Sequence, residues 1–238
     1  MTTDVSQIQA IVFDLYNTLC ANTRARWIET FKEICLIEGL SIDPDDLYSH
    51  WKDLELSTRV NRVNLEDLSR TREFTPYRNV WGSCFSQVFE EFQFEANAEL
   101  AARLCVEGMS KCPLFPQSKE VLDVLRTKYK LGLLSNADES FLQPFLATAN
   151  LSFDAAFSSE NVGAYKPHPK GFTDIAAELG FEPHQILFVG DTLRDDILGA
   201  QRVGMMTAHV VPTSLIHTEE LTVPDFKIRT VRGLLDFL

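Results

Sequence analysis

From residue 116 onward the chain alternates short apolar runs with amphipathic stretches, and this alternation restricts the fold more than any other feature. KLGLLSN (130–136) reads as a strand, followed by a helix to about Ala149. DAAFSS (154–159) reads as a strand and PKGFTDIAAELG (169–180) as a helix ended by Gly180. QILFVGD (185–191) is a strand, DILGAQRVG (196–204) a helix ended by Gly204, and MTAHVV (206–211) a strand. A short strand near Phe226 and a helix follow. Strands joined through helices run parallel, since the crossover must return the chain to the same edge before the next strand begins. IQAIVFD (8–14) is apolar without alternation, as a strand covered on both faces is. The expected fold is α/β, with a doubly wound parallel sheet.

The segment after residue 20 has a different period. Trp27, Ile28, Phe31, Ile34 and Cys35 recur at helical spacing, as do Trp81, Cys84, Phe85, Val88, Phe89 and Phe92. Leu47, Trp51 and Leu54 mark another helix, begun near Asp43-Pro44. The chain therefore reads as a split α/β core, residues 1–19 and 111–238, with a helical insertion over 20–110.

Composition narrows the function class. Lys plus Arg number 22 and Asp plus Glu 34, a net charge of −12. Such a surface repels nucleic acid and anionic membranes. It leaves room for an anionic small molecule wherever a local cation or bound metal reverses the potential. The partner expected is a small-molecule substrate, with no nucleic acid and no membrane, on a monomer or homodimer. No apolar run reaches the ~20 residues of a membrane span. The first ten residues lack a signal peptide's basic and apolar regions. The five cysteines are odd in number and form no CxxC pair, as free thiols in a reducing cytoplasm would be.

In a doubly wound sheet, ligands sit beyond the carboxyl ends of the strands. Those ends carry Asp14 in FDLYNTL, Ser135 and Asn136 in LLSNAD, Lys166 in AYKPHP and Asp191 in FVGDTLRDD. Helix capping accounts for one Asp or Ser at such a position. It does not account for a carboxylate, a hydroxyl, an ammonium and an acidic cluster at four ends together. Lys166 precedes proline, so its backbone is extended rather than helical.

In type, order and spacing this set resembles the haloacid dehalogenase superfamily of hydrolases, over essentially the whole chain. The resemblance implies a Rossmann-like core, a helical cap over 20–110 and Asp14 as nucleophile, attacking phosphorus or carbon to leave an ester that water cleaves. It implies that Thr18 and the amides of 15–19 hold the transferred group, with Ser135 and Asn136 contributing to the same end. Lys166 then stabilises Asp14 and the charge that develops in transfer. Asp191 and Asp196 are hard oxygen donors that suit Mg²⁺ beside Asp14 and the Tyr16 carbonyl, and Asp195 is the alternative to Asp196.

One position departs from the pattern. Phosphatases of that superfamily carry a second Asp two residues after the nucleophile, as general acid and base; here the residue is Tyr16. Tyr in this place is similar to the 2-haloacid dehalogenases, as are LSN at 134–136 and YKPHP at 165–169. Those enzymes use no metal, and they place an arginine after the cap tryptophan where this chain has Lys52 after Trp51. A planar guanidinium fork and an ammonium are not equivalent there, so Lys52 and Arg59, or Arg62, are the candidate holders of a substrate anion. The leading expectation is a Mg²⁺-dependent phosphatase acting on a small phosphorylated metabolite. The alternatives are a metal-independent 2-haloacid dehalogenase and a catalytically weakened binding or regulatory protein.

Overall fold

The computed structural model describes residues 4–211 and 222–238. It divides into two compact units. The first comprises Met1–Ala21, Pro113–Asn136 and Ala149–Leu238; the second comprises Asn22–Cys112 and Ala137–Thr148.

The first unit is built on a six-stranded sheet. Its strands are β1 (Ala10–Phe13), β2 (Lys130–Ser135), β3 (Ala155–Ser158), β4 (Ile186–Gly190), β5 (Met206–Val210) and β6 (Phe226–Ile228). Their order is β3-β2-β1-β4-β5-β6, and every pairing is parallel. The apolar run without alternation has the structural cause anticipated for it, since all four residues of β1 and all five of β4 are buried. Ala10, Val12, Leu134, Ile186 and Phe188 face a core completed by Phe172, Ile175 and Ala176 of helix α8 (Pro169–Leu179). Ile11, Phe13, Leu131, Leu133, Leu187 and Val189, which alternate with these along the strands, are fully buried as well. Each such side chain contributes about 1.5–3 kcal/mol by leaving water. The chain leaves β1 toward β2 and β3 on one side, then crosses to β4 on the other. The reversal lies at the carboxyl ends of β1 and β4, where a parallel sheet opens a crevice.

The helix expected over 196–204 takes another form. Leu193–Leu198 is a single π-helical stretch, and only Gly199–Arg202 (α9) is α-helical. The wide turn is closed by Ile197 N–H donating to the Thr192 carbonyl at 3.2 Å, a bond five residues long. Turns of this kind concentrate at functional sites because they turn side chains out of the ordinary helical phase. Here the turn buries both Asp195 and Asp196.

The second unit is helical: α1 (Arg24–Glu38), α2 (Pro44–Val60), α3 (Tyr77–Glu91), α4 (Ala98–Met109) and α6 (Glu139–Ala149). Asp43 caps α2 by accepting from Asp45 N–H, and Pro44 takes the first helical position. The aromatic stripes meet as expected, with ring centroids 5.3 Å apart for Phe31–Trp51 and 5.5 Å for Trp51–Phe85. Membership of α6 follows from two contacts. Phe141 stacks on Trp81 at 5.7 Å. The buried Asp138 carboxylate accepts the N–H groups of Tyr77 and Arg78, each at 2.8 Å. That carboxylate satisfies the start of α3, where Pro76 offers no side-chain cap. Among the described residues no helix is long and apolar enough to cross a membrane.

Candidate active site

Asp14 follows the last residue of β1, and its N–H donates to the Val189 carbonyl of β4 at 2.8 Å. The nucleophile candidate is therefore tied to the sheet through β4. Next to it Asn17 adopts φ 66°, a left-handed conformation that Asn tolerates. The N–H groups of Leu19 and Cys20 both donate to the Leu15 carbonyl, which closes the loop back under Asp14.

Lys166 lies at the centre of the site and is 3% exposed. Its Nζ donates to Asp14 Oδ1 at 2.7 Å and to Asp196 Oδ1 at 2.6 Å. Asp196 is held in turn through Oδ2, which accepts Thr192 N–H at 2.9 Å and Thr192 Oγ1–H at 2.7 Å. Asp14, Asp191 and Asp196 each present an oxygen within 4.8 Å of the others. Lys166 meets two of these three carboxylates, Asp14 and Asp196, both of them buried. Carboxylate oxygens gathered in this way are hard donors of the kind that suit a divalent cation.

The titrations of Asp14 and Lys166 follow from burial and from the charges beside them. Burial pushes the Asp14 carboxyl up to about 6, against the pull of the Lys166 ammonium and with the added repulsion of Asp196. Burial also opposes the Lys166 charge, but Asp14 and Asp196 outweigh it and hold the ammonium above the ordinary lysine range.

Gly190 is what allows Asp196 its place. A Cβ at Gly190 would fall on Asp196 Cβ and Cγ. Gly190→Ala is thus expected to cost about 1–3 kcal/mol through overpacking, read by chemical denaturation against the wild type. An unchanged midpoint would mean that Asp196 moves aside freely.

Two further hydroxyls sit at these strand ends. Thr18 Oγ1 and Ser135 Oγ are buried, on residues 1% exposed, and neither has a hydrogen-bond partner. Ser135 therefore does not cap the helix that follows it. A buried hydroxyl without a partner is costly and signals an absent acceptor or donor.

The other candidates separate. Tyr16 is buried beside Asp14 and bridges to Cys20. Asp195 does not join the three-carboxylate group; its Oδ2 faces Asn136 Nδ2 at 3.4 Å and its Oδ1 faces Arg194 Nη1 at 3.4 Å. Of the two acids left open by the sequence, the π turn brings Asp196 to the cluster. Asn136 turns its amide to the backbone of Lys166. Lys52 and Arg59 belong to the helical unit, where Lys52 Nζ donates to the buried Glu55 at 2.6 Å and Arg62 Nη1 donates to Tyr77 Oη at 2.6 Å. Sequence reading missed Thr192, whose partner is four residues away and whose role needs the π turn. It also missed His209 on β5, whose Nε2 lies 2.9 Å from the Asp191 carbonyl. A lone His in a strand carries no motif to reveal that contact.

Comparison with known proteins agrees with this geometry. Residues 8–204 match the family model of haloacid dehalogenase-like hydrolases. Phosphoglycolate phosphatase of Haemophilus influenzae is 37% identical over 116 residues, 48% of this chain and 48% of that protein. The chain thus matches about half the length of this relative. Among solved structures, the HAD-hydrolase YfnB from Bacillus subtilis bound to magnesium has a TM-score of 0.79 at 20% identity, covering 97% of this chain and 98% of that one. The defluorinating L-2-haloacid dehalogenase Rha0230 has a TM-score of 0.77 at 19% identity, covering 96% and 94%. At these identities the two structures speak for the fold alone. With its family match running from the first strand through the acidic turn, the chain belongs to the haloacid dehalogenase-like hydrolases.

Proposed function

We propose that this hydrolase is a Mg²⁺-dependent phosphatase acting on a small phosphorylated metabolite, with Asp14 as nucleophile. The observation that carries this reading is the convergence of Asp14, Asp191 and Asp196, whose oxygens lie within 4.8 Å of one another, with Lys166 on two of them. Carbon–halogen displacement has little use for such a carboxylate group, because halide leaves as a stable anion without help. Asp14, Asp191 and Asp196 are the residues that would hold Mg²⁺, with the Tyr16 carbonyl as a fourth donor. When bound, the ion neutralises phosphoryl oxygens and so favours attack by an anion on an anion.

The chain's own groups supply the remainder. An Asp14 oxygen attacks phosphorus, the bond to the leaving oxygen breaks, and an acyl phosphate remains until water cleaves it. Lys166 keeps Asp14 oriented and offsets the charge gathering on the transferred group. The unpartnered hydroxyls of Thr18 and Ser135 suit two phosphoryl oxygens. The phosphatase name of the relative from Haemophilus influenzae supports the same reading.

Tyr16 favours the second reading, a 2-haloacid dehalogenase, because it replaces the carboxyl that would protonate an alcohol leaving group. The two readings part on one variant. If the reaction is phosphate transfer, Tyr16→Asp should raise turnover of alkyl phosphates by up to ~10²-fold and that of aryl phosphates much less, since acid–base assistance matters most for poor leaving groups. In a dehalogenase the added carboxylate would repel the 2-halo acid and abolish halide release without creating phosphate release. A folded Tyr16→Asp protein with no gain on alkyl phosphates counts against the phosphatase.

A further inference from the structure

Asn136 and Asp195 read from the sequence as a substrate contact and a metal ligand, yet their side chains meet each other and the backbone of Lys166. Asn136 Oδ1 accepts Lys166 N–H at 2.8 Å, and Asn136 Nδ2 donates to the Lys166 carbonyl at 3.2 Å. One amide thus holds both polar groups of one residue, at a point where the following proline prevents helical pairing. Neither Lys166 group has another backbone partner among the described residues. Asp195 Oδ2 lies 3.4 Å from the same Nδ2, on a residue 6% exposed. That contact decides which way the amide faces. A flipped amide would set Oδ1 against both the Asp195 carboxylate and the Lys166 carbonyl, and its NH₂ against an N–H donor.

We propose that Asn136 is a positioning residue, which clamps the Lys166 backbone so that Nζ stands between Asp14 and Asp196, and that Asp195 orients the clamp. Lys166 is the only cation bonded to both carboxylates among the described contacts, and it comes from a loop rather than from a strand. Such a loop needs an external fixture, and a misplacement of 1 Å at a reacting group costs about 10²-fold. An asparagine amide offers an acceptor and a donor side by side on a short stem. A carboxylate offers only acceptors and a serine only one hydroxyl.

The kinetic part of the test rests on the phosphatase reading, and the crystallographic part does not. With p-nitrophenyl phosphate and Mg²⁺, Asn136→Leu should lower kcat about 10²-fold and leave KM within about threefold. Asp195→Asn, whose carbonyl accepts the same N–H, should stay within about threefold of wild type, whereas Asp195→Leu should lose about tenfold. In crystals of Asn136→Leu, Lys166 Nζ should lie beyond hydrogen-bond distance of Asp14 or Asp196. If that variant does not fold, the isosteric Asn136→Asp carries both measurements, since it lacks the donor and faces Asp195 with a like charge. The proposal is overturned if Lys166 keeps both contacts in the variant crystals. It is equally overturned if the loss falls on KM alone, as for a substrate contact, or if Asp195→Asn loses as much as Asp195→Leu, as for a ligand charge. If wild-type protein releases no phosphate, the phosphatase reading fails and the crystal structure alone decides the clamp.

Discussion

Asp14→Asn is expected to lower turnover by about 10⁴-fold or more and, above pH 6, to make the metal-free protein more stable than the wild type. The loss follows from chemistry, because a neutral amide is a poor nucleophile and forms no acyl phosphate. The gain follows from burial. The Asp14 carboxyl is pushed up to about 6 by its removal from water, so the folded chain holds that proton more tightly than the unfolded chain does. For a folded value raised above the unfolded ~3.9, the associated stability is fully present below pH ~4 and is lost as pH rises through about 6. At pH 8 the ionised carboxylate therefore costs the metal-free fold on the order of 2–3 kcal/mol. Asn has no such titration. Melting curves in the presence of a chelator should show the variant above the wild type at pH 8, with the gap closing by pH 4. A variant that melts below the wild type at pH 8 would mean that Lys166 more than offsets the burial of Asp14.

Lys166→Met should destabilise the protein by about 3–5 kcal/mol at neutral pH, since it leaves two buried carboxylates facing each other without a counter-charge. Turnover should fall about 10²–10³-fold as well, the usual cost of losing one preorganised group at a developing charge. The two wild-type contacts place the Lys166 titration above the ordinary lysine range. Its contribution is therefore complete below the unfolded value of ~10.4 and lost only at higher pH. The deficit in the variant runs the other way. It should shrink as pH falls, because protonating one carboxyl relieves the repulsion. Urea denaturation at pH 7.5 and at pH 5 measures both, and equal deficits at the two values would contradict this explanation.

Much of the fold was legible because the sheet is parallel and doubly covered. A strand with no exposed face, such as Ala10–Phe13 or Ile186–Gly190, cannot alternate, so its apolar run is visible directly. The strand ends then located Asp14, Ser135, Asn136 and Asp191, whereas Lys166 lies in the loop after the short helix Ser159–Val162. The π turn was not legible. Residues 193–198 have ordinary helical composition, and the extra residue in the turn is a response to tertiary demands on Asp196 packed against Gly190. For that reason the sequence left Asp195 and Asp196 as alternatives, and it is Asp196 that lies with Asp14 and Asp191. The placement of α6 was hidden for a similar reason. Its apolar face reads the same whether it covers a sheet or other helices, and only two long-range contacts, the cap from Asp138 to Tyr77 and Arg78 and the stacking of Phe141 on Trp81, assign it to the helical unit. The contact of Asn136 with the Lys166 backbone was hidden as well, because spacing locates a side chain but does not tell which neighbour its amide meets.

The most direct test is a paired assay on the wild-type protein. It measures phosphate release from a panel of small phosphomonoesters with Mg²⁺ and with chelator, and halide release from 2-chloropropionate without metal. A group of three carboxylate oxygens within 4.8 Å of one another implies phosphate release that depends on Mg²⁺ and stops with chelator, and no halide release. Halide release without metal, together with no phosphate release from any ester in the panel, would contradict it.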